Sequence, residues 1–335
     1  IKNIITHGAM VKGYVGNEMF EKALDLFEQI DIELDDATYT IAFNCCAKLC
    51  NDRAMKIGKE LLAKMPENSR NNNITSTSAI DMLMKFGDVE SAELNDVTYT
   101  IVFNACAKLG NDRAMKIGKK LLDEMPANYR NDNITSTSAI DMLMKFGDVE
   151  SAERIFRSIK AKGANIYGAL MNGYNLNGES WKCFKIFEEM KEKDIIPDEI
   201  GWTILIGACS KSGMLHHCQY VVNQIPLNIQ NKIRTQNALI DMWGKCGSIE
   251  KAKNVFDLVV DRDTITYNAM INAFALNGMG TQAVELYRKM PNNLRDYISQ
   301  ICVLNACSHA GLLHEARTIF NEISLKTESI ITTMV

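Results

Sequence analysis

The chain has 335 residues, of which 47% are hydrophobic and 23% are charged, and this composition excludes a disordered chain. Its net charge of −4 excludes a protein that coats nucleic acid by bulk positive charge, although a local basic track stays compatible with it. No apolar run approaches the roughly 18 residues that cross a bilayer, so we expect no membrane contact.

Four sequence phrases predict helical hairpins, each with two helices joined by a turn that contains glycine. In chain order they occupy residues 9–30, 169–190, 238–256 and 269–290. In the last phrase, apolar residues at helical spacing run to Phe274, and Asn277-Gly278 interrupts the pattern. The spacing then resumes from Ala283 to Met290. A single hairpin cannot bury its own apolar face, so neighbouring hairpins must stack.

Small residues recur at fixed places in these phrases. The glycine after the first helix suits a left-handed cap, and this predicts such caps at Gly16, Gly87, Gly110, Gly147, Gly178, Gly213, Gly247, Gly278 and Gly311. Close packing of the second helix explains the short side chains of Ala23, Ala92, Ala152, Ala252 and Ala283. Four cysteines occupy equivalent positions of the repeat, and we expect them to be buried: Cys46, Cys106, Cys209 and Cys307.

Residues 34–93 and 94–153 are a tandem duplication with 11 differences in 60 positions. The first copy passes from Glu93 straight to Leu94, whereas the second continues through Ile155, Phe156 and Ile159. The loss of three large apolar side chains removes roughly 5–9 kcal/mol of burial before any repacking. We therefore predict a weak or kinked joint near residues 88–97.

The phrases at 238–256 and 269–290, together with LNACSHAGLLHEA at 304–316, resemble the short, standard and long motifs of the pentatricopeptide repeat family. The residues at the family's fifth position are Gly8, Thr40, Thr77, Thr100, Thr137, Gly168, Thr203, Asn237, Asn268 and Ile301, spaced 23 to 37 apart. The resemblance implies an all-α, right-handed superhelical solenoid of about ten stacked hairpins. It would form one array over 1–335, with a shortened unit near 73–95 and an incomplete last unit.

The resemblance also implies that one RNA base is read per repeat by the fifth residue and the last residue of the motif, while the second residue packs against bases. The implied pairs are Thr40/Asn72, resembling an adenine reader, Thr100/Asp132, resembling a guanine reader, and Asn237/Asp263 and Asn268/Asp296, resembling uracil readers. Gly8/Asp35, Thr137/Gly163, Gly168/Asp198 and Thr203/Lys232 are not standard combinations, and Thr77 is the fifth residue of the shortened unit. The alternative is that these Asn, Asp and Thr residues only cap helices.

Six lysines lie eight residues beyond the fifth position: Lys48, Lys85, Lys108, Lys145, Lys211 and Lys245. If the hairpins stack, these lysines form a cationic row that could meet RNA phosphates. The alternative is a favourable interaction with the carboxyl end of each first helix.

No catalytic, metal or cofactor site is expected. His216, His217 and Cys218 lack a second pair of metal ligands, and no CxxC pair occurs among the ten cysteines. The cytidine deaminase signature that can follow the repeats in this family is missing, so we expect a chain that is not an enzyme.

The resemblance implies a monomeric RNA-binding scaffold for transcript processing, stabilisation or editing. Catalysis would come from a protein partner or from a further carboxyl-terminal domain. The resemblance implies a mitochondrial or plastid location, with the targeting segment outside this chain. One alternative is a tetratricopeptide-like scaffold that holds peptides on the same surface, and another is a mis-joined gene product that binds nothing.

Overall fold

The computed structural model describes residues 4–28, 34–66, 69, 72–85, 96–127, 129–323 and 326–333. These residues form α-helices and two short 3₁₀ turns, and no β-strand occurs within those ranges. The chain divides into two compact units, residues 1–173 and 174–335. The predicted all-α class is confirmed.

The first unit consists of helices that pair into hairpins along the chain. They are α1 (Ile4–Gly16), α2 (Phe20–Glu28), α3 (Asp36–Leu49), α4 (Asp52–Lys64), α5 (Asn73–Lys85), α6 (Asp96–Leu109), α7 (Asp112–Glu124), α8 (Asn133–Lys145), α9 (Val149–Ser158) and α10 (Ala164–Leu176), the last of which runs past the boundary.

The second unit continues the same alternation. It contains α11 (Lys182–Glu192), α12 (Glu199–Ser212), α13 (Leu215–Gln224), the short α14 (Leu227–Gln230), α15 (Ile233–Lys245), α16 (Ile249–Leu258), α17 (Thr264–Leu276), α18 (Gly280–Lys289), α19 (Tyr297–Ala310), α20 (Leu313–Glu322) and α21 (Glu328–Thr333).

Within each unit, the first helix of one hairpin packs on the first helix of the next. In the first unit α3 packs on α5 and α6 packs on α8, and in the second unit α15, α17 and α19 follow one another in the same way. Equivalent side chains of successive first helices therefore come close together. The predicted stacking of hairpins holds inside each unit.

An aromatic contact recurs between the end of one hairpin and the start of the next. The ring of Phe156 meets Tyr167 edge-on at 5.1 Å, and Phe256 meets Tyr267 at 5.7 Å. Phe156 and Phe256 are both buried. Edge-to-face pairs of this kind add about 0.5–1.5 kcal/mol to the apolar burial. They close the core between neighbouring hairpins.

The small residues of the repeat are buried, as predicted. Cys46, Cys106, Cys209 and Cys307 are at most 1% exposed, and Ala23, Ala152, Ala252 and Ala283 are fully buried; Ala92 lies outside the described residues. Burial raises the pKa of the Cys46 and Cys106 thiols to about 12. These cysteines act as small apolar residues of the core.

Seven of the nine predicted left-handed glycines are confirmed, with positive φ at Gly110, Gly147, Gly178, Gly213, Gly247, Gly278 and Gly311. The prediction for Gly16 is wrong, because α1 runs through Gly16 and the left-handed residue is Glu18, with φ of 57°. Gly87 lies outside the described residues. In the first copy of the duplication Cys50 takes the left-handed conformation that Gly110 takes in the second copy, with φ of 49° and 58°.

The predicted weak joint near 88–97 lies mostly in residues 86–95, outside the described residues, and stays a prediction. In the described part of the chain, no helix combines the length and the apolar character that crossing a lipid bilayer requires.

Candidate nucleic-acid interface

Aspartates and one asparagine begin the first helices. Asp132, Asp198, Asp263 and Asp296 each accept a hydrogen bond from the main-chain N–H three residues later, at 2.7–2.8 Å. Asn72 accepts from the main-chain N–H groups of Ile74 and Thr75 at 2.9 and 3.3 Å. Capping contacts of this kind are worth about 1 kcal/mol each. The capping role considered for these five residues is therefore real.

Two of the caps also contact the residue predicted to read a base with them. Asn237 Nδ2 donates to Asp263 Oδ1 at 3.2 Å, and Asn268 Nδ2 donates to Asp296 Oδ1 at 3.3 Å. Each bond joins residues 26 or 28 apart in the sequence, on successive hairpins. Both asparagines are buried, at 7% and 9% exposed. The structure thus brings together two of the pairs that the sequence proposed.

The carboxylate of Asp263 is held in its charged form. Burial by itself raises its pKa, but the main-chain N–H and hydroxyl of Thr266, followed by the Asn237 amide, outweigh burial and lower the pKa below its usual range. A charged Asp263 can keep the Asn237 amide nitrogen turned toward it. The orientation of Asn237 therefore depends on residues at the start of the next hairpin.

The pairs Thr40/Asn72 and Thr100/Asp132 are linked through a third residue instead of directly. Thr40 Oγ1 lies 3.1 Å from Thr75 Oγ1, and Asn72 accepts from the main-chain N–H of Thr75. In the second copy, Thr100 Oγ1 lies 3.3 Å from Thr135 Oγ1, whose hydroxyl donates to Asp132 Oδ2 at 2.9 Å. A hydroxyl of the next hairpin thus separates the two predicted members of each pair.

The remaining predicted residues have local partners. Thr137 and Thr203 donate their hydroxyls to the carbonyls of Asn133 and Glu199, one turn earlier, at 2.6 and 2.8 Å. Lys232, which stands where other hairpins have an acidic cap, donates to Glu199 Oε2 at 2.5 Å. Asp198 is an exposed cap, and Thr77 is half-buried.

A groove of about 670 Å³ runs along the starts of α15, α17 and α19, and Asn237, Asp263 and Asn268 line it. Ile265 and Ile298 also line it, and both are exposed, at 63% and 43%. Exposed isoleucines beside buried asparagines give apolar faces next to hydrogen-bonding groups. This combination suits a flat base, whose faces are apolar and whose edge is polar.

These isoleucines were not among the residues singled out from the sequence. Each lies three residues before the fifth position, and the same offset places exposed isoleucines at Ile74, Ile134 and Ile200. The signal was present, because the family role of the second position implies packing against bases. An isoleucine by itself, however, indicates a core residue more often than a surface one.

All six lysines of the predicted row are exposed. In the first unit, burial, and after it repulsion from Lys145, lowers the pKa of Lys108, so these two charges lie near each other. Lys145 and Lys245 pair with Asp141 and Asp241, one turn earlier, at 2.9 and 2.7 Å. Lys211 donates to the carbonyl of Asn175, which matches the helix-end alternative. Exposed ion pairs are worth at most about 1 kcal/mol, so a phosphate could displace them.

Over the described residues, no group of three or more His, Cys, Asp or Glu side chains is arranged to hold a metal ion. His217 instead lies against the ring of Phe184, with 4.9 Å between ring centroids.

Comparison with known proteins gives one consistent family. A model described as PPR repeat matches residues 5–31, 134–163, 200–226, 237–263, 265–293 and 302–326, and a model described as PPR repeat family matches 163–211. Together they match more than half of the chain.

Two similar proteins come from Arabidopsis thaliana. Pentatricopeptide repeat-containing protein At1g03540 is 28% identical over 373 aligned positions, covering 96% of this chain and 59% of the relative. The mitochondrial pentatricopeptide repeat-containing protein At4g31070 is 26% identical over 306 positions, covering 78% of this chain and 49% of the relative. The chain thus spans about half the length of these relatives.

The fold is similar to that of a solved structure. The maize pentatricopeptide repeat protein PPR10, in complex with an 18-nucleotide psaJ RNA element, matches with a TM-score of 0.51 and 14% identity, covering 99% of this chain and 61% of that one.

Proposed function

The chain belongs to the pentatricopeptide repeat family, and from this membership we propose that it binds single-stranded RNA along the starts of its first helices, with one base per hairpin. The observation that carries the proposal is the pair of hydrogen bonds from Asn237 to Asp263 and from Asn268 to Asp296 beside one groove. The similar fold of a protein solved with RNA supports it.

In the second unit, a base enters the groove between neighbouring aliphatic side chains and meets the asparagine with its edge. Ile265 and Ile298 supply apolar faces, and Asn268 stands between them along the groove. The amide nitrogens of Asn237 and Asn268 each have two protons, one of which goes to the aspartate. The second proton remains for an acceptor on the base, such as a uracil carbonyl oxygen.

We assign base reading to Asn237/Asp263 and Asn268/Asp296 first, because only these pairs contact each other directly among the four standard pairs. Thr100/Asp132 reads through the Thr135 hydroxyl, which contacts both residues, and Thr40/Asn72 reads through Thr75, whose hydroxyl contacts Thr40 and whose main-chain N–H donates to Asn72. The hairpin with Thr203 and Lys232 contributes little selectivity, because Lys232 is bound to Glu199. The six lysines meet phosphates beside the bases.

The binding serves a transcript in an organelle, in processing, stabilisation or editing, and the subclass of standard, long and short motifs belongs to the same proposal. Arabidopsis relatives named as mitochondrial and as chloroplastic support an organellar location. The chain contributes recognition, and a partner or another segment of the protein contributes catalysis.

The test is selection from a pool of random single-stranded RNA, followed by sequencing of the bound fraction. Enrichment of a sequence with neighbouring uracils is expected. Asn237→Ala and Asn268→Ala are each expected to weaken binding by about 1–3 kcal/mol and to remove the preference at one nucleotide, a different one for each variant. Asn254→Ala changes an exposed asparagine of α16 and is the matched control.

No enrichment above the input pool, or equal effects of Asn254→Ala and Asn237→Ala, would contradict the proposal. Saturable binding to peptides instead of RNA would favour the scaffold alternative.

A further inference from the structure

In three hairpins a buried threonine hydroxyl contacts the base-facing residue of the preceding hairpin. Thr75, Thr135 and Thr266 are all fully buried. Their hydroxyl oxygens lie 3.1 Å from Thr40 Oγ1, 3.3 Å from Thr100 Oγ1 and 2.7 Å from Asn237 Oδ1, respectively. Water cannot replace such a contact in a fully buried position. Each hydroxyl therefore fixes the side chain that it touches.

Thr266 holds Asn237 in one orientation. Its single hydroxyl proton is shared, in a three-centre hydrogen bond, between Asn237 Oδ1 at 2.7 Å and Asp263 Oδ1 at 2.8 Å, while Asn237 Nδ2 donates to the same Asp263 oxygen. The amide oxygen faces Thr266 and the amide nitrogen faces Asp263. The torsion that turns an asparagine amide is otherwise broad and soft, so these two anchors set which atom can meet a base.

Asn268 lacks the second anchor, although its pair with Asp296 is the same. Ser299 stands where Thr266 stands in the preceding hairpin, but its hydroxyl donates to the carbonyl of Asp296 at 2.7 Å and accepts from the Asp296 N–H at 2.8 Å. These bonds complete a capping box at the start of α19. Within the described residues, the buried Asn268 Oδ1 is left with no hydrogen-bond partner.

We propose that Thr266 is a positioning residue for base selectivity, and that the two identical Asn/Asp pairs therefore discriminate pyrimidines to different degrees. This rests on the proposed RNA binding. The fixed amide nitrogen of Asn237 offers an N–H to the base. That N–H matches the O4 acceptor of uracil and opposes the N4 amino group of cytosine. Asn268 is held by its bond to Asp296 alone, so it turns at a smaller cost than Asn237 to offer its oxygen to cytosine, and its site discriminates the two pyrimidines less.

The experiment uses the RNA selected by the full chain, with uracil or cytosine at the two nucleotides assigned to Asn237 and Asn268 by their alanine variants. The ratio of dissociation constants for cytosine and uracil is measured at each nucleotide. Thr266→Val is expected to lower this ratio about threefold to tenfold at the Asn237 nucleotide and to leave the other unchanged, since one hydrogen bond is lost. Ser299→Thr is expected to raise the ratio by a similar factor at the Asn268 nucleotide.

Each site is the internal control for the other, and a general loss of packing would lower affinity at both. Ser299→Thr keeps the test open if Thr266→Val does not fold. If the ratio of dissociation constants stays unchanged at both nucleotides in a folded Thr266→Val variant, or in the Ser299→Thr variant, Thr266 has no positioning role. If the parent chain itself shows no base preference at either nucleotide, the proposed function fails instead.

Discussion

At the residue scale, one hydrogen-bonded pair does two tasks. Asp263 caps α17 and at the same time orients Asn237 of the preceding hairpin. Capping and base reading, which the sequence left as alternatives, are therefore compatible at this position. A cap fixes the helix start, and the fixed helix start places the carboxylate where a neighbouring amide can use it.

Cys50 gives a prediction about backbone strain, because the duplication supplies its own comparison. Cys50 has φ of 49° at the end of α3, where the second copy has Gly110 with φ of 58°. A left-handed conformation costs a residue other than glycine roughly 1–2 kcal/mol. Cys50→Gly is expected to raise the free energy of unfolding by about 1 kcal/mol, measured from urea unfolding curves.

The control is Gly110→Ala, which is expected to lower the free energy of unfolding by about 1 kcal/mol. A methyl group added at Gly110 meets no heavy atom within 4 Å, so its effect reports the backbone alone. If Cys50→Gly were less stable than the parent, the 3.0 Å contact from Cys50 Sγ to the Lys85 carbonyl would outweigh the strain.

At the element scale, the helices were predictable and the contacts between them were only partly so. Apolar spacing and glycine punctuation place hairpins such as α17 and α18, because burial of one helix face requires that pattern. The prediction for Gly16 failed, since the turn after α1 places its left-handed residue at Glu18. A glycine permits the left-handed conformation but does not require it.

In the candidate site, too, some contacts could be predicted from the sequence and others could not. The family resemblance paired Asn237 with Asp263, and the packing of successive first helices brings these two positions together. The contact from Thr266 to Asn237 could not be predicted, since Ser299 occupies the equivalent position and its hydroxyl turns to its own main chain instead. Which partner a hydroxyl selects depends on its rotamer, and the methyl group that Thr266 has and Ser299 lacks restricts that rotamer.

The first copy of the duplication has no counterpart of residues 154–163, and this difference gives a prediction about stability. In the second copy Phe156 is 4% exposed and contacts Tyr167, and Ile159 is 2% exposed. Inserting the segment 154–163 between Glu93 and Leu94 is expected to slow amide hydrogen exchange in α5 and α6, because it supplies equivalent apolar side chains. The free energy of unfolding is expected to rise by at most roughly 5–9 kcal/mol.

An insertion of the same length in which the equivalents of Ile155, Phe156 and Ile159 are serine is the control, and it is expected to leave the exchange unchanged. If α5 and α6 exchange as slowly as α8 in the parent chain, the prediction of a weak joint near 88–97 is wrong.

At the scale of the whole molecule, the proposed RNA binding by an acidic chain depends on where the repeat places the positive charges. A net charge of −4 supplies no general attraction for RNA, whereas the proposal has lysines at one position of the repeat meeting phosphates beside the bases. In this proposal the two contributions are separable: asparagines and the residues that orient them set base preference, and lysines set affinity and its dependence on salt.

This separation gives the last prediction, on Lys211 and Lys245, which are exposed and lie in the unit that contains both asparagine pairs. Each lysine that meets a phosphate of a single strand releases counterions and contributes about 0.7 to the slope of log affinity against log salt. The double variant Lys211→Gln and Lys245→Gln is expected to flatten that slope by about 1.4 and to leave base preference unchanged. Lys185→Gln with Lys289→Gln, on second helices, removes the same charge and is expected to change the slope far less. Equal slopes for the two double variants would contradict the phosphate contacts. They would favour a role for the lysines at the carboxyl ends of first helices, such as the contact from Lys211 to the Asn175 carbonyl near the end of α10.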